Sequence, residues 1–144
     1  MVSRATLLLL VVLPFAYCNK VYDKCTLARE LLNEYHLPRW QIPTWICIVE
    51  HESRYNTAAR NTQTNDHGLF QISQLYWCDP PAHPQGCGVT CDSLRDDDIH
   101  DDVKCVKKIF DEWQRMKGNG FKAWTTYDAY CGGNNEGYIN GCGI

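Results

Sequence analysis

Two glutamates flank a histidine in the stretch Trp45-Ile46-Cys47-Ile48-Val49-Glu50-His51-Glu52-Ser53-Arg54-Tyr55. A histidine followed by a glutamate opens the zinc-protease pattern HExxH, but that pattern needs a second histidine where Tyr55 stands, so zinc hydrolysis is excluded. General acid catalysis is the other chemistry on offer. It requires a carboxyl that stays protonated near neutral pH, which burial achieves by disfavouring the charged form. On a helical wheel at about 100° per residue, Trp45, Ile48 and Val49 share one side. Glu52 falls among them and Glu50 points nearly the opposite way. Glu52 is therefore the glutamate that an apolar stripe would desolvate. By itself it could equally be a helix-end carboxylate turned to solvent.

An acid needs a partner. Asp66 follows in Thr64-Asn65-Asp66-His67-Gly68-Leu69-Phe70-Gln71-Ile72-Ser73, where polar neighbours would keep it ionised. A protonated Glu and an ionised Asp across a cleft are the two carboxylates of glycoside hydrolysis. Taken alone, Asp66 before His-Gly is also a common turn residue, and His67 is expected to be exposed on the hairpin. A second acidic cluster lies in Ser93-Leu94-Arg95-Asp96-Asp97-Asp98-Ile99-His100-Asp101-Asp102-Val103. Crowded carboxylates repel, and either a hard divalent cation or a helix N-terminus relieves that repulsion. The glycine and terminal Glu of an EF-hand are absent.

The elements that would position these groups are legible from periodicity. Asp23 can cap a first helix, with Ala28, Leu31, Leu32 and Tyr35 on its apolar face and Pro38 as its stop. Pro43 and Thr44 open a second helix that runs to about Ser53. Residues 55–75 lose the helical period and read as a small antiparallel sheet, and residues 78–91 as a Pro/Gly-rich loop stapled by cysteines. A third helix carries Ile99, Val103, Val106, Phe110 and Trp113 on one stripe, with Gly118 past its end. A shorter helix is expected over residues 121–130. The class is α+β.

Residues 1–19 read as a secretory signal peptide, with Arg4 before an apolar run too short to span a bilayer and a cut after Cys18 or Asn19. Residues 20–144 then form one domain. Of nine cysteines, eight remain, an even set that implies four disulfides among 105 pairings. The mature chain would hold thirteen basic and seventeen acidic residues, a net charge of −4. That balance argues against nucleic acid as a partner.

These motifs resemble the c-type (chicken-type) lysozymes from Lys20 to the end, with arthropod-like loop lengths. Lys20-Val21-Tyr22 is similar to the family's mature start, Trp45-Ile46-Cys47 through Glu52-Ser53 to its acid-bearing helix, and Asp66-His67-Gly68-Leu69-Phe70-Gln71-Ile72 to its catalytic strand. The resemblance implies a lysozyme-like α+β fold, a helical lobe and a small sheet lobe around a cleft. It implies hydrolysis of the β-1,4 bond between N-acetylmuramic acid and N-acetylglucosamine in bacterial peptidoglycan, with retention. Glu52 would be the acid and Asp66 the nucleophile or stabiliser. Ser73, Tyr76, Trp77, Ala123 and Trp124 would contact substrate. The implied disulfides are Cys25–Cys142, Cys47–Cys131, Cys78–Cys91 and Cys87–Cys105. The acidic run resembles the calcium loop of α-lactalbumin and calcium-binding lysozymes. It implies a structural calcium held by the carbonyls of Ser93 and Asp98 and the carboxylates of Asp96, Asp101 and Asp102, with no cofactor needed for catalysis. A secreted monomer without stable membrane association is expected, in digestion or defence. An inactive calcium-binding relative that binds glycans or a protein partner is the alternative. Three departures stand out: a shorter segment between Glu52 and Asp66, Ser73 in place of a common Asn, and a longer third helix.

Overall fold

The computed structural model describes residues 20–79 and 86–144, so the signal peptide expected over residues 1–19 and the middle of the cysteine-stapled loop lie outside the described residues. The first helix, α1 (Lys24–Asn33), begins at Asp23, whose carboxylate accepts the Thr26 N–H at 2.9 Å. It ends before Pro38. His36 adopts a left-handed φ of 54°, and the Leu37 N–H returns to the Leu31 carbonyl, so a local turn stops the helix ahead of the proline. A single 3-10 turn (Arg39–Gln41) leads into α2 (Ile42–Ser53), with Pro43 in its first turn. Two consecutive left-handed residues, Arg54 (φ 51°) and Tyr55 (φ 65°), end it sharply.

The sheet is small and antiparallel: β1 (Arg60–Asn61), β2 (Asp66–His67) and β3 (Ile72–Ser73), in that order. Asp66 pairs with Asn61 on one side and Ser73 on the other. The last long helix, α3 (His100–Lys117), closes on Gly118 at φ 71°. The expected helix over residues 121–130 is instead broken in two. A 3-10 turn (Gly120–Ala123) stops at Trp124, whose backbone is extended, and a π-type turn (Tyr127–Cys131) follows. Packing overrides propensity at the break: the Trp124 indole N–H donates to the Phe70 carbonyl at 2.9 Å, which continued helix would not allow.

The core centres on Trp45. Its ring meets Phe70, Phe121 and Trp124 edge-on, with centroids 5.9, 4.8 and 4.9 Å away. Its N–H donates to Gln41 Oε1 within the core. The α2 residue seven places before Glu52 thus bolts the hairpin and the residues 120–124 to the same helix. The four disulfides pair as the resemblance implies. Cys25–Cys142 spans 117 residues. Replacing both cysteines with alanine is expected to cost about 2–5 kcal/mol, read as a lower denaturant midpoint with an intact fold.

Gly68, just after β2, is pressed against the acidic loop. A Cβ there would lie 1.8 Å from the Leu94 carbonyl oxygen and 3.0 Å from Asp102 Oδ1, at a φ of +77°.

Candidate active site

Glu52 occupies the last turn of α2, on the face that carries Trp45, Ile48 and Val49. It is half-buried, whereas Glu50 is exposed and accepts the Tyr55 hydroxyl at 2.8 Å. Burial pushes the Glu52 carboxyl above its ordinary value. The Thr126 hydroxyl, which donates to Glu52 Oε1 at 2.7 Å, pulls it partly back, and the charge of Asp66 pushes it up again. The helix dipole disfavours an anion at this end of α2 and acts in the same sense as burial.

Asp66 is placed by the turn before it. Asn61 Oδ1 accepts the N–H groups of Gln63 and Thr64, Asn65 is left-handed at φ 57°, and Thr64 Oγ1 then donates to Asp66 Oδ2 at 2.6 Å. Thr64 thus supplies a hydroxyl to Asp66 from the turn, while Ser73 sits beside it in register on β3.

Glu52 and Asp66 line one cleft of about 430 Å³. Ile72, Ser73, Tyr76 and Trp77 form one wall, and Ala123, Trp124 and Thr125 close the end near Glu52. Every substrate-contact residue named from sequence lies on this cleft. Tyr76 is exposed, Trp77 half-buried and Trp124 buried. The opposite wall comes from α3: Ile109, Glu112, Trp113 and Met116. Sequence reading placed Trp113 on the core stripe, but it lies at the stripe's edge and shows one face to the cleft. A second, more polar groove, lined by His51, Arg54, Arg60 and Gln63, meets the first at Glu52 and Gln71. Glu52 therefore stands where an extended polymer could pass on both sides. A hydrogen-bonded acid with a raised pKa facing a hydrogen-bonded aspartate across such a channel can protonate a leaving oxygen on one side and meet developing positive charge on the other.

The sequence profile of the C-type lysozyme/alpha-lactalbumin family matches residues 20–142. The chain belongs to this family. It is 36% identical over 126 residues to lysozyme c-1 of Anopheles gambiae, covering 85% of each chain. It is 42% identical over 123 residues to the alpha-lactalbumin of Tachyglossus aculeatus aculeatus, covering 78% of this chain and 93% of that one. The crystal structure of a lysozyme from Litopenaeus vannamei superposes with a TM-score of 0.76 at 35% identity, over 87% of this chain and 98% of that one. Family membership accounts for the fold and is shared by lysozymes and an alpha-lactalbumin, so the activity of this member has to be argued from its cleft.

Two further residues need a structural account. His67 is buried, at 2% exposure, and is not the exposed hairpin residue expected. Its Nε2 lies 3.1 Å from Gln74 Oε1, and its ring nitrogen approaches the sulfurs of Cys78 and Cys91. In a strand of two residues, alternation says little about which side chain faces in. Among the described residues, the side-chain groups close enough to share a metal are Cys47–His51–Cys131 and His67–Cys78–Cys91. Both spend their sulfurs on disulfides.

The acidic loop behaves differently from a solvated helix end. Asp102 is 1% exposed, and burial pushes its carboxyl up to about 8. A backbone hydrogen bond opposes the shift, and the charges of Asp96, Asp101 and Asp98 add to it. Asp102 Oδ2 is buried without a hydrogen-bond partner. Asp96 and Asp98 cap the N–H groups of Asp98 and His100. Ser93 opens the 3-10 turn Ser93–Arg95, and Asp101 lies in the first turn of α3.

Proposed function

We propose that this protein is an active lysozyme, a secreted glycosidase that cleaves the β-1,4 bond between N-acetylmuramic acid and N-acetylglucosamine in bacterial peptidoglycan with retention. The observation that carries the reading is the pairing of a desolvated Glu52 with Asp66 across one cleft. Glu52 gives its proton to the glycosidic oxygen as the bond breaks. Asp66, kept oriented by Thr64, attacks or stabilises the anomeric carbon, and water activated by the now ionised Glu52 completes hydrolysis. Lysozymes are themselves the type case of this chemistry, so the roles are carried over from the family onto these two side chains. Trp124, locked on Phe70, keeps water from one flank of Glu52, and Tyr76 and Trp77 offer faces to sugar rings.

The test is clearing of a bacterial wall suspension by the refolded protein, between about pH 4 and about pH 8. Clearing with retained anomeric configuration is expected. No clearing at any pH by a correctly disulfide-bonded protein overturns the reading and leaves an alpha-lactalbumin-like binder. The acidic composition and the altered surroundings of Asp66 suit work below neutrality, as in digestion. A profile peaking near or above neutral pH would count against that role.

Thr126 sets where the profile falls. Its hydroxyl bonds the charged form of Glu52 more strongly than the neutral one, so losing it raises the carboxyl further. Thr126→Val is expected to move the alkaline limb of the kcat/KM profile to higher pH, and Thr126→Ser to restore it.

A structural cation at the acidic loop is supported by one observation: Asp102 Oδ2 is buried without a hydrogen-bond partner, and a hard oxygen-seeking ion would supply one. Among the described residues the carboxylates of Asp96, Asp101 and Asp102 are not gathered closely enough to share an ion, so binding would have to draw them together. Calcium would take the carboxylates of Asp96, Asp101 and Asp102 and the carbonyls of Ser93 and Asp98, neutralise their repulsion, and take no part in bond cleavage. Chelation is expected to lower Tm in the parent by several degrees, and Asp101→Ala to remove that calcium dependence. Equal melting with and without chelator would exclude the site.

A further inference from the structure

A cavity of about 200 Å³ lies between the turn that follows α1 and the middle of α3, and none of its residues lines the cleft or the polar groove. Its floor is apolar. Leu37, Trp45 and Phe110 are buried there, with the Trp45 and Phe110 ring centroids 5.8 Å apart. One polar group reaches this floor. Gln41 is 6% exposed, and its Oε1 accepts the Trp45 N–H at 3.1 Å. Its Nε2 has no hydrogen-bond partner among the described residues, which leaves two donors for an occupant.

The rim carries both signs of charge. Lys107 and Asp111 stand one turn apart on α3 and both line the cavity. Side chains at that spacing are neighbours, although lysine before aspartate is the weaker order for an ion pair. Among the described residues the two form none. The Lys107 ammonium donates to the Tyr35 carbonyl, and Asp111 is exposed.

We propose that this cavity binds a free aromatic amino acid, its ring on the floor of Leu37, Trp45 and Phe110 and its zwitterionic head between Lys107 and Asp111. An apolar cavity of about 150 Å³ holds a benzene ring, so this one has space for a ring and a short head group. The carboxylate meets Lys107 and the Gln41 Nε2 donors, and the ammonium meets Asp111. A lone anion or a lone cation would find one partner and face like charge at the other, so the rim favours a ligand with both. The ring selects against small polar amino acids, because burying it against Trp45 and Phe110 supplies most of the binding. The inference does not depend on the glycosidase reading.

The test is a nuclear magnetic resonance titration of the refolded, nitrogen-labelled protein with L-phenylalanine. Saturable shifts of the Trp45 indole N–H and the Gln41 side-chain amide are expected, with a Kd on the order of 1 mM, the strength of a ligand of about twelve non-hydrogen atoms. Phenylacetate, which lacks the ammonium, and phenethylamine, which lacks the carboxylate, are expected to bind roughly fivefold more weakly. Asp111→Lys is expected to weaken L-phenylalanine by roughly 5–10-fold and to tighten phenylacetate. Should that variant not fold, Asp111→Asn replaces it, with loss of the preference for L-phenylalanine over phenylacetate expected. Absence of saturable shifts at Trp45 and Gln41, shifts confined to Trp77 and Trp113 in the cleft, equal affinity for phenylacetate in the parent, or an affinity untouched by the substitution at Asp111 each overturns the proposal.

Discussion

Glu52→Gln is expected to lose wall-clearing activity by roughly 10²–10⁴-fold and yet to melt higher than the parent at neutral pH. Both effects come from one fact, a carboxyl whose folded-state pKa lies above its ordinary value of 4.5 through burial. Below the unfolded pKa, folded and unfolded chains both hold the proton and the group costs nothing. As pH rises through the folded pKa, the native state must ionise Glu52 in poor solvent, and stability is lost. Glutamine imitates the protonated acid. Its amide oxygen still accepts the Thr126 hydroxyl, but it has no proton to give. The stability gain should therefore appear above the folded pKa and vanish in acid. Thermal melts of both proteins across the acid range check it. A variant that clears walls shows that Glu52 is not the acid. A variant no more stable than the parent at neutral pH shows that the ionised carboxylate carries no penalty.

Gly68→Ala is expected to be the most damaging single change in the chain. A left-handed φ costs an alanine about 1–2 kcal/mol. The larger cost is the overlap of the new methyl with the Leu94 carbonyl, 1.8 Å away, which is backbone and cannot rotate aside. A total above about 4 kcal/mol places it in the rare class of mutations that remove a large part of a domain's stability. Poor yield of the disulfide-bonded form and a sharply lower urea midpoint are expected. Because Gly68 follows Asp66 by two residues, any folded remainder should also lose activity beyond its lost stability. A midpoint equal to the parent's would mean that the contact between catalytic strand and acidic loop yields easily.

Glu52 was legible because a helix makes spacing into direction: seven residues from Trp45 is two turns, so the acid had to share the tryptophan's face. The break at Trp124 that precedes Thr126 was not legible, since it accompanies an indole hydrogen bond to a carbonyl fifty-four residues earlier in the chain. His67 failed for the opposite reason. A two-residue strand gives no period to read, and its burial was decided by Gln74 and a disulfide beyond the hairpin. Trp113 was read correctly as apolar and on the right stripe. The stripe could not say that α3 outruns the core and exposes its last turns to the cleft.

The two walls of that cleft are built from unlike materials. One is an eighteen-residue helix, stiff along its whole length. The other hangs from strands two residues long, joined through turns with left-handed Asn65 and Gln71. A jaw of this kind opens from one side. Deformation of the cleft is expected to fall on the turns of the hairpin that carries Asp66 rather than along the helix. The two carboxylates of the proposed pair thus stand on elements of unlike stiffness, Glu52 on a twelve-residue helix and Asp66 on a two-residue strand.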